Sequence, residues 1–162
     1  MQTILLEIQK KSYTVGNEII DAILNYYTQV LEDDVKIYIT GLCNVKLAIN
    51  NVELCSIVSN PLQNAIEAIR HQKQGKKYLY IQMHSAQDNF RMEIRNSHDA
   101  DSITLIHGLP WTKNSDKKNH GIGLKNVQKL VKKNNGEFKI DIEPGEFKIT
   151  LVLPIAKSYY LG

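Results

Sequence analysis

Apolar positions recur along this chain at two periods, and the changes between them mark out its elements. Ile19, Ile20, Ile23, Leu24, Tyr27, Val30 and Leu31 return every three or four positions, which predicts a helix over 17–31. Asn17 suits the N-cap, and Glu18 and Asp21 suit a first turn that favours negative charge. Residues 35–40, Val-Lys-Ile-Tyr-Ile-Thr, alternate as a half-buried strand does. After a loop over 41–50, Asn50 or Asn51 caps a second helix. Its apolar residues, Val52, Leu54, Cys55, Ile57, Val58, Leu62, Ala65, Ile66 and Ile69, line much of its circumference, so it is expected to be well buried. Pro61 lies inside it. A mid-helix proline removes a hydrogen bond and crowds the preceding turn at about 3 kcal/mol. Either the helix kinks there or two helices meet there. Ahead of all this, Ile4, Leu5 and Ile8 suggest a short helix or the tail of a longer one.

Residues 78–83 and 90–94 read as two strands of an antiparallel hairpin around a turn at 85–89. The stretch 96–119 has no convincing period, and a structureless segment of that length in a compact domain is usually functional. It is expected to act as a lid. His120-Gly121-Ile122-Gly123 then forms a glycine turn into a third helix with Leu124, Val127, Leu130 and Val131 on one face, stopping at Asn135-Gly136. Two more strands, 137–142 and 147–153, flank a turn at 143–146. Paired strands with few parallel crossovers predict an α+β fold: a two-layer sandwich of one mixed sheet with helices on one face.

Composition adds bounds. The 162 residues suffice for one domain with a real core. Hydrophobic residues make up 43% and charged residues 23%, as in ordinary globular proteins. The net charge of +3 is too mild to argue for a nucleic-acid partner. Cys43 and Cys55 are the only cysteines and have no metal-type spacing, which fits a reducing, cytoplasmic setting. No run reaches the ~18 apolar residues that span a bilayer, so no membrane contact is expected of this domain itself. The abrupt opening, Met1-Gln2-Thr3-Ile4, reads as a piece of a longer protein.

Two stretches carry candidate chemistry. Glycines at a helix entrance let the backbone approach an anion, where free N–H groups favour phosphate. Upstream, Asn60-Pro61-Leu62-Gln63-Asn64-Ala65-Ile66-Glu67-Ala68 places Asn60 and Asn64 one helical turn apart on the same face. Together they suggest a nucleotide site built from parts far apart in sequence.

These segments resemble the catalytic ATP-binding domain of sensor histidine kinases, in the GHKL superfamily. The branch they look most like is that of the quorum-sensing kinases of the accessory-gene-regulator type. The resemblance covers roughly 14–155. Residues 15–24, Val-Gly-Asn-Glu-Ile-Ile-Asp-Ala-Ile-Leu, look like the opening of this domain. Residues 60–68 are similar to the asparagine box, and 113–124 to the lid and second glycine box. The resemblance implies a Bergerat-type ATP-binding fold over 15–157, preceded by an upstream tail over 1–14 and followed by a tail over 158–162. It implies ATP and Mg²⁺ as ligands. Asn64 would hold the cation through its side-chain oxygen, a neutral ligand suited to a hard ion that keeps most of its waters. Asn60 could contact phosphate or metal-bound water. Gly121, Ile122 and Gly123, running on into Leu124, would offer backbone N–H groups to phosphate. Lys113 could neutralise phosphate charge from the lid, and His120 sits at the phosphate turn.

The departures from the pattern are informative. The family's first glycine box is Asp-x-Gly-x-Gly, whose Asp accepts from the adenine amino group. Here Asn96-Ser97-His98-Asp99 follows the strand, without glycine, and Asn96 matches the Asp by position. An amide oxygen can accept the same bond, though less strongly than a carboxylate. Glu67 stands where many of these kinases carry Lys or Arg. Hydrolysing members of the superfamily have a glutamate at the Asn60 position; asparagine cannot serve as that base, which favours phosphoryl transfer over hydrolysis. The resemblance therefore implies a protein-histidine kinase fragment. Its acceptor histidine would lie on a separate dimerisation and phosphotransfer domain of the parent kinase, with a response regulator downstream. Two alternatives stand beside it. One is a degenerate domain that works through protein contacts; the other is a free-standing serine kinase of the anti-sigma type.

Overall fold

The computed structural model describes the backbone of residues 12–100, 103–106, 109–112 and 120–157, and the side chains of 12–100 and 123–157. The tails expected at 1–14 and 158–162 fall largely outside these residues.

Ten elements follow in order: α1 (Glu18–Thr28), β1 (Lys36–Thr40), α2 (Asn51–His71), β2 (Tyr78–Ala86), β3 (Asn89–Ser97), β4 (Ile103–Ile106), β5 (Leu109–Thr112), α3 (His120–Lys133), β6 (Glu137–Glu143) and β7 (Glu146–Pro154). Five strands form one sheet in the order β1-β2-β3-β7-β6. β1 and β2 are parallel and the other neighbours antiparallel. α2 packs on β2 and β3, α3 packs on β6 and β7, and α1 rests on α2. This is the expected two-layer α+β sandwich.

Register explains why one sheet face is apolar. Side chains alternate along a strand, so residues paired across the sheet share a face. Ile81 pairs with Ile94, which pairs with Ile149, which pairs with Ile140. The next row is Met83, Met92, Leu151 and Phe138. Above them sit Leu54, Ile57, Val58, Leu62 and Ile69 of α2 and Leu124, Val127 and Val131 of α3, all buried. The opposite face carries Tyr38, Tyr80, Gln82, His84, Arg91 and Arg95. There Tyr38 and Tyr80 stack with ring centroids 4.6 Å apart.

The helix ends follow local chemistry. Asn17 Oδ1 accepts from the N–H groups of Ile19 and Ile20, a cap contributing about 1 kcal/mol. Asn50 Oδ1 accepts from Glu53 N–H. α1 stops at Thr28, short of the expected end at 31, yet Leu31 is still buried beyond it. α2 runs as one helix through Pro61, so of the two alternatives, a kink or a meeting of two helices, the second is absent. Pro61 has no N–H for the Ile57 carbonyl, and it is buried.

α3 ends in a Schellman motif: Gly136 N–H bonds to Val131 O and Asn135 N–H to Lys132 O. Asn135, not Gly136, takes the left-handed conformation, at φ 60°. Gly136 is needed for space instead, since a Cβ there would lie 2.4 Å from Val152 O.

Three further expectations are revised. The hairpin turn predicted at 85–89 is shorter, because Ala86 already pairs with Asn89 and only Gln87 and Asp88 turn. The turn of the last hairpin is likewise only Pro144-Gly145, with Gly145 at φ 85° as a type II turn requires. The supposedly structureless stretch 96–119 contains a second small sheet, in which β4 pairs antiparallel with β5 and β5 lies against α3.

Candidate functional site

The asparagine helix and the glycine segment meet. A Cβ built on Gly123 would lie 3.9 Å from Asn60 Cβ and 4.0 Å from its Cγ. A second tie lies at the far end of the same pair of helices. There Glu53 of α2 accepts from Lys133 Nζ and, at 2.7 Å, from Asn134 Nδ2 just beyond α3. Residue 53 opposite 133–134 and residue 60 opposite 123 make the helices antiparallel. That sense carries the first turn of α3 alongside the stretch of α2 that holds Asn60 and Asn64.

The glycines were expected as a turn before the helix. The structure instead starts α3 at His120, so Gly121, Ile122 and Gly123 belong to its opening. The consequence for chemistry is small. The first N–H groups of any helix have no partner within it, and this holds for those at His120, Gly121 and Ile122. Leu124 turns its side chain into the core, 1% exposed, and anchors this end of α3. Asn60 and Asn64 are half-buried, and neither side chain is hydrogen-bonded to another described residue. Glu67, one turn past Asn64, accepts from Gln63 Nε2 at 3.4 Å. Lys113 lies outside the described residues, and of His120 only the backbone is described.

Asn96, the third candidate asparagine, lies on the sheet near the end of β3. Register puts it on the apolar, helix-facing side of β3, between Leu79 and Phe147. It is 1% exposed. Its Nδ2 donates to Ser97 O at 3.0 Å, while its Oδ1 has no partner among the described residues. Most buried polar groups are paired, and an unpaired one is costly, so this acceptor asks for a donor. The end of β3 is also tied to the C-terminus of α2: Ser97 Oγ donates to Gln72 Oε1 at 2.6 Å, and the Asp99 carboxylate accepts from the N–H groups of Lys73 and Gln74. Asn64 precedes Gln72 by eight positions, about 12 Å along the helix. The start of α3, Asn60, Asn64 and Asn96 therefore follow one another along α2.

Residues 49–154 match the sequence profile of the GHKL domain family. The chain belongs to that family. Solved structures agree on the fold of this GHKL domain. A mycobacterial sensor histidine kinase, MprB, superposes with a TM-score of 0.62 at 18% identity, over 85% of this chain and 94% of that one. The catalytic domain of the histidine kinase ThkA gives 0.65 at 15% identity, over 87% and 93%. The Acinetobacter baumannii histidine kinase AdeS gives 0.55 at 14% identity, over 86% of this chain and 64% of that one. No curated protein matches.

Three features of this GHKL domain escaped sequence reading. The Ser97–Gln72 bond joins residues 25 apart in sequence, and neither type signals a site. The Glu53 tie to α3 spans 80 residues; Asn50 caps the Glu53 N–H locally, while the Glu53 carboxylate reaches across to the other helix. The β4–β5 hairpin has only short apolar runs, Ile103-Thr-Leu-Ile106 and Leu109-Pro-Trp-Thr112, as its signal.

Proposed function

We propose that this chain is the ATP-binding catalytic domain of a sensor histidine kinase, over residues 15–157. The observation that carries this reading is the approach of Gly123 to Asn60, which sets the first turn of a helix beside an amide with no hydrogen bond to another described residue. Free N–H groups and the positive end of the helix dipole favour phosphate there. Bound Mg²⁺·ATP supplies the phosphoryl group. The Asn64 side-chain oxygen holds the cation, Asn60 orients phosphate or metal-bound water, and the N–H groups opening α3 take phosphate oxygens. Lys113 supplies a further contact from the lid, and His120 one from the start of α3. Asn96 Oδ1 accepts from the adenine amino group, and its missing partner in the described protein fits that role.

At Asn60 there is no carboxylate to activate water, which supports phosphoryl transfer to a partner group over hydrolysis. The acceptor is a histidine on the parent kinase's dimerisation and phosphotransfer domain, and a response regulator follows. No helix among the described residues is long and apolar enough to cross a membrane. We place the domain in the cytoplasm, as part of a membrane-bound sensor.

A second reading has one observation in its favour. The segment after Asn96 has no glycines, and its backbone is committed: His98 N–H bonds to Gly145 O. A domain closed in this way could serve as a protein-interaction module with weak or no nucleotide binding.

Thermal unfolding with ATP or ADP, with and without Mg²⁺, separates the two. Ligand at 100 times its Kd stabilises by about 2.7 kcal/mol, or roughly 5–10 °C for a chain of this size. A Mg²⁺-dependent rise that Asn64→Ala abolishes supports the kinase reading. No shift at millimolar nucleotide sinks it in favour of the interaction module.

A further inference from the structure

We propose that the outer face of α3 is a docking surface for a partner protein that presents a row of carboxylates along one of its own helices. The surface lies outside the nucleotide site, and the proposal does not depend on that reading.

α3 carries Lys125, Lys129, Lys132 and Lys133 and no Asp or Glu. Lys133 is spent within the domain, on Glu53 of α2. Lys125, Lys129 and Lys132 are exposed, and none has an ion pair or hydrogen bond among the described residues. Positions i, i+4 and i+7 share one side of a helix, so the three ammonium groups form a ridge about 10 Å long. The ridge points away from the core, because Leu124, Val127 and Val131 hold the other side of the helix at 0–1% exposure.

The ridge works against the helix that carries it. Like charges three and four positions apart repel, and a glutamate four positions before a lysine, which would relieve this, is absent from α3. Only Lys132 and Lys133, in the last turn, complement the helix dipole. Lys125 and Lys129 gain nothing from it, so helix stability does not account for the charge.

The chemistry of the partner follows from the ridge. Three uncompensated ammonium groups at one-turn spacing match carboxylates at the same spacing on another helix, and the matched charges set the register of docking. A lipid surface fits less well. A helix that lies on a bilayer inserts its apolar face, and the apolar face of α3 is buried in the core. Nucleic acid also fits less well, since the net charge of the chain is only +3 and α3 has no Phe, Tyr or Trp to stack on a base.

Two alanine-based helical peptides of one composition are the probes. The first carries glutamates at i, i+4 and i+7; the second spreads them around the helix. Amide chemical shifts of the chain follow each titration at low and at moderate salt. Exposed ion pairs are weak singly, so three in register predict about a tenfold tighter Kd for the first peptide, an advantage that salt reduces. The shifts are expected to cluster on 125–132. The triple variant Lys125→Gln, Lys129→Gln, Lys132→Gln is expected to lose the advantage. The control Lys36→Gln, Lys46→Gln, Lys76→Gln removes the same charge from exposed positions elsewhere and is expected to keep it. Unfolding midpoints check that both variants are folded, and that of the ridge variant is expected to equal or exceed wild type.

Equal binding of the two peptides, equal loss in both triple variants, or no binding of either peptide overturns the proposal. Sedimentation with phosphatidylserine vesicles, or binding of single-stranded DNA, that only the ridge variant loses assigns the ridge to lipid or nucleic acid and overturns it as well.

Discussion

Gly123 of α3 stands against Asn60 of α2, with room for a Cβ at ordinary contact distance, 3.9 Å, and little beyond. That spacing separates stability from binding. In a helix interior alanine is preferred to glycine by about 0.5–1 kcal/mol. Gly123→Ala is therefore expected to raise the unfolding midpoint by a few degrees. Gly123→Gln, which fills the space before Asn60, is expected to lower Mg²⁺·ATP affinity at least about tenfold, the effect of losing one hydrogen bond of ordinary strength. Thermal unfolding and calorimetric titration on both variants check this.

The end of α3 makes two opposite predictions one residue apart. Asn135 sits at φ 60°, where glycine is free of strain, so Asn135→Gly is expected to be neutral or to stabilise by a few tenths of a kcal/mol. Gly136→Ala puts a Cβ 2.4 Å from Val152 O and 2.9 Å from Val131 Cγ1. Backbone must move, at about 1–3 kcal/mol. Urea unfolding of the two variants should give midpoints on opposite sides of wild type, or Asn135→Gly level with it.

The two cysteines should differ in reactivity. Cys43 is fully buried, and burial pushes its thiol up to about 11. The thiolate is the reactive form. Cys55 is exposed. A thiol reagent at pH 8 is expected to titrate one cysteine per native chain, lost in Cys55→Ser, and a second only after unfolding. Prompt reaction of two would contradict the burial of Cys43.

Acid should loosen the helix pair and the sheet's open face. Hydrogen bonds from Lys133 and Asn134 hold the Glu53 carboxyl below its usual range, and those from Arg91 and Arg95 do the same for Glu93. A depressed folded pKa contributes stability that is fully present above the unfolded value near 4.3 and is lost as pH falls through the folded one. Unfolding midpoints are expected to fall below about pH 4.5, and less steeply in Glu53→Gln and Glu93→Gln. Equal slopes in wild type and both variants would place the acid sensitivity elsewhere.

Much of the architecture was legible because it depends on local period. Ile20, Ile23 and Leu24 mark α1, and the alternation of Leu79, Ile81 and Met83 marks β2, since one buried face imposes one repeat. The hairpin at 103–112 was not legible. Its strands are four residues each, too short for alternation to show, and one contains Pro110. Pro61 left a kink and a meeting of two helices both open, because its local cost acts within one turn; the structure keeps α2 as one helix with Pro61 buried.

The sequence by itself determined the three helices and the five strands of the main sheet, though not the short hairpin, and it marked Asn60, Asn64 and the glycines at 121 and 123 as candidates, because periodicity, caps and turn residues act within a few positions. Only the tertiary structure decided that Gly123 meets Asn60 and that Glu53 ties α2 to α3. It alone put Asn96 on the apolar face with its amide turned by Ser97 and an acceptor left open. Those relationships join residues 63 to 81 positions apart, or set one residue's face by register across the sheet. Such distances are closed only when the two layers pack and share one core.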